Sequence, residues 1–436
     1  MTILTIKQTA SGIIWVGPIF DRGGYGNVSR NHLLGLKRVG FPVRAVNYGL
    51  EHKADIHPDI YNEISSLLYK DVGPYPVGVV HYEPELFPSV KFTGVLKKIG
   101  YTIFETDRIP RHWIKYCNQM DELWVPSRFN METFTRSGVK PEKIRLVPIG
   151  VDTSFFKPRQ EKLPIEGKRK FTFLYTFAFN WRKGFDLLLE AYLKEFTAKD
   201  HVSLILKVYE DQGVKQHEIK EIIMGSIVEK VDLTRKDAPH LAVIDKPLDQ
   251  EGLRRLYNSC NLYISTDRAN GWGMPCMEAM AMGKPAATIN WSGSTEFMNK
   301  YNSLLIEPTG SLVPVDRRLS KVQPLLYSGH KWADVSLGEV RRVMRFAYEN
   351  PEALKTVAER GEAYIRENFS IEKVAKQLVE TITSSEIPHK SETLKEKYKV
   401  TIQHAIFRKI KRKILMFKHM IGSILTDSHK SDKGGL

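Results

Sequence analysis

The chain has 436 residues, 42% of them hydrophobic and 26% charged, with a formal net charge of +15. That length suits two α/β domains plus extensions, and the balance is ordinary for a soluble globular protein. No apolar run reaches the roughly 18 residues of a spanning helix, and Met1–Lys7 lacks the basic region and long apolar stretch of a secretory signal.

In chain order, Gly12–Val16 reads as a strand, Asp21–Gly26 as a glycine-rich turn, and a helix follows from about Asn27, its expected cap. Pro42–Val46, Val77–Val80, Tyr101–Phe104 and Glu122–Val125 read as further strands. The polar stretch Lys157–Lys170 is the expected linker. The same grammar then restarts with strand Phe171–Tyr175, helix Gly184–Ala191, and strands Val202–Lys207, Leu241–Ile244 and Asn261–Thr266. After the last of these, Asn270-Gly-Trp-Gly273 forms a turn into a helix with Pro275 near its start, Glu278 in its first turn and Gly283 as its stop. Alternation of this kind predicts parallel sheets covered by helices on both faces, that is, two doubly wound domains.

The end of the chain reads as a separate module. Residues 389–436 hold 12 Lys and Arg against 4 Asp and Glu, so +8 of the charge lies there and the body is only mildly basic. This argues against a general nucleic-acid-binding body. Ile402, Ile406, Ile410, Ile414, Phe417, Ile421 and Ile424 recur at helical spacing, and Arg408, Lys409, Lys411, Arg412 and Lys413 crowd the remaining surface. A helix of this pattern either lies on an anionic membrane or docks its apolar stripe on the body or a partner. Cys117, Cys260 and Cys276 fall within expected elements without metal-ligand spacing, which reads as reduced core thiols of a cytosolic protein.

Several residues carry possible chemistry. Gly23 and Gly24 precede a helix, where close backbone approach and the helix start favour a phosphate; a ligand-free tight turn is the other reading. Arg182 and Lys183 follow the first strand of the second half and could neutralise a diphosphate, or form a solvated charge pair. Gly271 and Gly273 flank Trp272, which reads as a packing residue, and expose their amides. Asn270 is either a hydroxyl-binding amide or only a turn residue. His81 stands at the end of a predicted strand as an acid–base candidate, or as a structural or solvated loop residue. No two Asp residues are spaced D-x-D, so no metal-holding carboxylate pair is evident and no metal or other cofactor is expected.

The string Asn270-Gly-Trp-Gly-Met-Pro-Cys-Met-Glu278-Ala-Met-Ala resembles the E-x7-E signature of family 4 retaining glycosyltransferases, with Asn270 in place of the first Glu. Phe104–Pro110, Val125–Phe129, Val147–Asp152, Arg182–Gly184 and Gly293–Glu296 resemble further stations of that family in the same order, over about Trp15 to Phe369. The resemblance implies the GT-B arrangement: two Rossmann-like domains facing a cleft, one at 1–160 on the acceptor side and one at 168–370 binding a nucleotide sugar. A helix over 371–388 would return to the first domain, and 389–436 would be the basic amphipathic tail.

By the same resemblance, Glu278 holds the donor's ribose, Lys183 its diphosphate, and Asn270 with the amides near Gly273 its sugar. Gly23, Gly24, Arg182, Lys207, Gly271 and Trp272 join the donor-binding set, and Glu105 and Asp107, in the stretch where many relatives place a His close to the donor sugar, are acid–base candidates. The family's usual Arg six residues before Lys183 is Phe177 here. The implied activity is metal-independent, retaining transfer of a sugar to a glycan, lipid-linked or protein acceptor, for example in polysaccharide or cell-envelope synthesis. The implied place is the cytoplasm, with residues 401–425 on the inner membrane face. The departures at Asn270 and Phe177 motivate a second reading, a transferase-like protein without turnover that serves as a binding or stabilising partner. A sugar-nucleotide epimerase of similar architecture is a third.

Overall fold

Runs of β-branched and aromatic residues without interior Pro make strands that are buried on both faces, as parallel sheets require. Every residue of Gly12–Gly17, Pro76–His81 and Glu122–Val125 is buried. The computed structural model describes residues 9–53, 56–159, 161–210, 216–228, 237–384 and 398–403. Its strands are β1 (Gly12–Gly17), β2 (Val43–Asn47), β3 (Pro76–His81), β4 (Val90–Thr93), β5 (Lys98–Tyr101), β6 (Glu122–Val125), β7 (Ile144–Leu146), β8 (Phe171–Ala178), β9 (Val202–Tyr209), β10 (His240–Ile244), β11 (Leu262–Ser265), β12 (Ala286–Ile289), β13 (Leu304–Ile306), β14 (Leu312–Pro314), β15 (Lys331–Ala333) and β16 (Lys399–Ile402).

Two six-stranded sheets result, ordered β2-β1-β3-β5-β6-β7 in lobe 1 and β10-β9-β8-β11-β12-β13 in lobe 2. Every pairing within them is parallel. Between the lobes, residues 157–170 form no strand or helix among those described.

Four local expectations are corrected. The first helix is Gly24–Arg38, so Asn27 lies inside it and is not its cap; its side chain instead accepts from Arg30. Gly23 is the cap position, and its N–H donates to Asp21 Oδ1 at 2.6 Å. Thr102–Phe104 is not strand: β5 ends at Tyr101, opposite Trp124, and the chain turns off the sheet. The helix after Gly273 is Met274–Ala281, which puts Glu278 beyond its first turn. The described part of the tail is strand, not helix, because Lys399–Ile402 pairs antiparallel with β4. The rest of the basic stripe, from residue 404, lies outside the described residues.

The lobes are tied in several places, among them Arg128, whose N–H and Nη1 both donate to Glu296 at 2.7 Å. The helix Ile371–Ser384 packs along Gly24–Arg38, so closely that a Cβ on Gly35 would lie 2.4 Å from the Ile371 carbonyl oxygen. Arg38 forks onto Asp152 at 3.0 and 2.8 Å and reaches Glu372 at 3.0 Å. On the other side, the segment carrying β14, the helices Arg317–Val322 and Pro324–Tyr327, and β15 leaves lobe 2 and lies on the loop after β5. Thr106 Oγ1 meets His330 Nδ1 there at 2.7 Å. No helix among the described residues is long and apolar enough to cross a membrane.

Because the Gly35 contact is backbone against backbone, Gly35→Ala is expected to destabilise the protein by about 1–3 kcal/mol. Hydrogen exchange should quicken in residues 371–384, and unchanged exchange there would show that this helix does not depend on lobe 1.

Candidate active site

Parallel strands send all their βα loops to one end of a sheet, and a crevice opens where the strand order reverses. Those points are β1/β3 in lobe 1 and β8/β11 in lobe 2, and they face the same cleft. Gly24 and Tyr25 begin the helix after β1, His81 ends β3 and Glu83 follows it, Arg182 and Lys183 follow β8, and Asp267, Asn270, Gly271, Trp272 and Gly273 follow β11. Thr102–Glu105, with Leu326 and Tyr327 of the lobe 2 insertion, complete a cavity of about 370 Å³.

Lys183 is aimed by the residue after it. Gly184 has φ +59°, and a Cβ there would lie 2.2 Å from the Thr266 carbonyl oxygen, so the turn can press against the exit of β11 only as glycine. Lys183 Nζ donates to Asp267 Oδ2 at 2.9 Å, and Asp267 also accepts from the Tyr175 hydroxyl. Beside it, Arg182 Nη1 donates to the Ala269 carbonyl at 2.6 Å, and Nε lies 3.0 Å from Glu105 Oε1. The Tyr327 hydroxyl donates to that same oxygen. Glu105 is therefore held between a cation of lobe 2 and a phenol of the insertion.

Both glycine turns end in helices without side-chain caps. Gly23 heads Gly24–Arg38, and Gly273, at φ +92°, heads Met274–Ala281. First-turn amides lack intrahelical partners, so each start carries partial positive charge. Gly24 and Met274 both line the cleft, which brings two such ends together with Lys183 and Arg182.

Asn270 lines the cleft but spends its amide on structure. Oδ1 accepts from Ser294 N at 2.9 Å and Nδ2 donates to Ser294 Oγ at 3.2 Å. The two loops so joined touch through backbone, since a Cβ on Gly293 would lie 1.8 Å from the Gly271 carbonyl oxygen. Trp272 packs on Phe297 and Phe369, with ring centroids 5.2 and 5.9 Å away.

Four expected residues do not line the cavity. Gly23 sits just before it. Asp107 accepts from Lys331 N at 2.7 Å and from Arg108 at 3.0 and 2.8 Å, so it pins the insertion and stands outside this cavity. Lys207 is fully buried, donates to the Val208 carbonyl at 3.0 Å and lies 3.9 Å from the Tyr209 ring centroid. Burial lowers its pKa to about 8. Glu278 lies below the mouth in lobe 2, where Tyr257 OH donates to Oε2 at 2.7 Å. Its burial raises the carboxyl pKa to about 7, against the opposing effect of the Tyr257 bond. Phe177 stacks between Tyr175 and Phe185, with centroids 4.7 and 5.6 Å away, and is core.

Tyr25, Asp267 and Tyr327 were missed. Asp267 had a signal, as one of the first polar residues past a buried strand at a switch point. Tyr327 had none, because its segment reaches the cleft by folding back from lobe 2.

Residues 157–317 match the family model described as Glycosyl transferases group 1. A D-inositol 3-phosphate glycosyltransferase of Acidothermus cellulolyticus is 22% identical over 283 residues, covering 60% of this chain and 59% of that protein. An MMP alpha-(1->4)-mannosyltransferase of Mycolicibacterium hassiacum is 24% identical over 266 residues, covering 61% and 54%. The chain thus spans little more than half the length of these curated relatives. Among solved structures, Anabaena HepE in complex with UDP and glucose is similar, with a TM-score of 0.57 at 13% identity over 87% of this chain and 100% of that one. An alpha,alpha-trehalose-phosphate synthase of Burkholderia vietnamiensis gives 0.60 at 13% over 87% and 99%. The fold is the two-lobed GT-B arrangement.

The state of Glu278 has a measurable consequence. Its folded pKa of about 7 lies above the ordinary 4.5, so the native state holds a proton that the unfolded chain releases between those values. Stability then falls as pH rises through 4.5 to 7, by on the order of 3 kcal/mol. Glu278→Gln should match the wild type in urea denaturation at pH 4.5 and exceed it at pH 8. Equal stability at both would show that the carboxyl is not strained by burial.

Proposed function

We propose that the protein is a glycosyltransferase that moves a sugar from a nucleotide-sugar donor to an acceptor hydroxyl, retaining configuration and using no metal. One observation carries the reading: Lys183, Arg182 and two uncapped helix starts converge on a single cavity that adjoins the stretch matching the group 1 model. A departing nucleoside diphosphate needs its charge compensated where it forms, and preorganised amides and cations supply that without a divalent ion. The presence of Lys183 at the exit of β8 and of the Met274 helix after β11 supports a diphosphate between them.

In this reading Glu278, one turn below the mouth, exchanges the Tyr257 hydroxyl for hydroxyls of the ribose. Asn270 stands where the family pattern has its first Glu and adds no charge, so stabilisation of the transition state falls to the groups on the diphosphate. The acceptor, a glycan, lipid-linked or protein hydroxyl, enters beside Gly24, His81 and Glu105. Glu105 is within reach of it as a proton acceptor once Arg182 turns to the diphosphate. A cytoplasmic enzyme resting on an anionic membrane through residues 401–425 suits the basic stripe of that segment.

A second reading, a binding partner without turnover, is favoured by the commitment of Asn270 to Ser294 and by the apolar stacking of Phe177. A panel of UDP-, GDP- and TDP-sugars separates the two. Turnover of one donor, lowered about 10²–10³-fold in a Lys183→Met protein that still folds, is the result expected of the enzyme. A donor bound by calorimetry but never turned over supports the partner, and no binding at all ends both.

A further inference from the structure

The cavity wall formed by the end of β3 contains a hydrogen-bond chain whose direction can be worked out by counting protons. Trp15 Nε1, which can only donate, gives its hydrogen to Ser29 Oγ at 3.1 Å. Ser29 Oγ in turn lies 2.8 Å from His81 Nδ1. Ser29 is wholly buried, and these are its side-chain partners among the described residues. If His81 donated from Nδ1, the Ser29 hydroxyl hydrogen would be left buried without an acceptor, which is costly. The satisfied arrangement is Trp15 to Ser29 to His81, with Nδ1 accepting and the ring proton on Nε2.

Nε2 points away from Ser29 and has no hydrogen-bond partner among the described residues, yet it is not one of their sealed, unsatisfied polar atoms. It therefore reaches the cavity that His81 lines. The ring is clamped by its neighbours, with Tyr25 and Tyr101 centroids both 4.9 Å away and Trp15 5.6 Å away. His32, the other histidine of this cluster, is also neutral, its pKa lowered to about 3 by burial. Its Nε2 lies 3.2 Å from the Tyr101 hydroxyl, which gives its own proton to the Val147 carbonyl at 2.8 Å. Burial, with His32 nearby, likewise holds the His81 pKa well below its ordinary value.

We infer that Ser29, itself oriented by Trp15, is a positioning residue that fixes His81 as a neutral ring presenting Nε2–H to the cleft, so that His81 donates a hydrogen bond to a ligand oxygen and is not a proton acceptor. The assignment of that oxygen to the sugar or the acceptor rests on the proposed function; the tautomer does not. It removes His81 from the candidate bases and leaves the carboxylates Glu83 and Glu105 in that part of the cleft. It also makes the site selective, because a ligand oxygen facing Nε2 must accept, and an ammonium there leaves the donor unpaired.

The test is nitrogen-15 NMR of the histidine rings in the full chain at pH 7, with His81→Gln to assign its signals. The wild type is expected to show His81 with a protonated Nε2 and a bare Nδ1, and Ser29→Ala is expected to move the proton wholly or partly to Nδ1. For any sugar nucleotide that the panel shows to be turned over, Ser29→Ala should lower kcat at least about tenfold with little change in KM. A cationic ring or a proton on Nδ1 in the wild type overturns the inference even if the variant fails to fold. So does a Ser29→Ala protein whose His81 tautomer is unchanged. If the NMR result holds and no sugar nucleotide is turned over, the proposed function fails and the tautomer assignment stands.

Discussion

The site depends on where parallel strands release their chains. Each strand of a parallel sheet must be followed by a crossover, so every functional loop leaves from the same edge, and the sheet splits its crossovers at one point. Two such edges face each other here, at β1/β3 and β8/β11. That constraint, more than any single residue, brings Gly24, His81, Lys183 and Gly273 into one cavity from positions far apart in the chain. The helix starts point their dipoles into it because the same crossovers that build the sheet begin there.

Polar contacts reinforce the apolar packing that holds the edges in opposition. Arg38 clasps Asp152 and Glu372 behind the cleft, while the lobe 2 insertion grips the loop after β5 through Asp107, Thr106 and Glu105 in front. Glu105 contributes to both closure and the cavity wall, since Arg182 and Tyr327 meet on it. A ligand that competes for Arg182 would loosen this front contact as it binds, which links occupancy of the cleft to the freedom of the insertion. Breaking a partly buried pair costs more than a surface pair, so the exchange requires a strongly charged ligand.

The alternation of apolar runs with glycine turns made the two sheets legible in the sequence, because buried parallel strands are near-continuous hydrophobic runs and the turns need glycine. The positions of Lys183 and the Gly271–Gly273 turn followed from that same grammar. What failed was detail set by tertiary contacts. Asn27 has the chemistry of a cap, yet Gly26 meets the Asp21 carbonyl so closely that the helix starts earlier. Tyr101–Phe104 has strand composition, but β6 pairs only as far as Tyr101. Asp107 looked free beside Glu105 and is consumed by Lys331, a residue more than 200 positions away whose approach no local pattern announces. Lys207 and Glu278 have polar ends that face into lobe 2, which depends on partners such as Tyr209 and Tyr257 rather than on spacing.

The most direct test of the account is a crystal structure of the protein grown with the sugar nucleotide it binds and with chelator present. The account predicts the diphosphate within hydrogen-bond distance of Lys183 Nζ and of the first-turn amides at Gly24 and Met274. A diphosphate seated elsewhere, such as the outer groove lined by Arg108, Arg111 and Arg136, would contradict it.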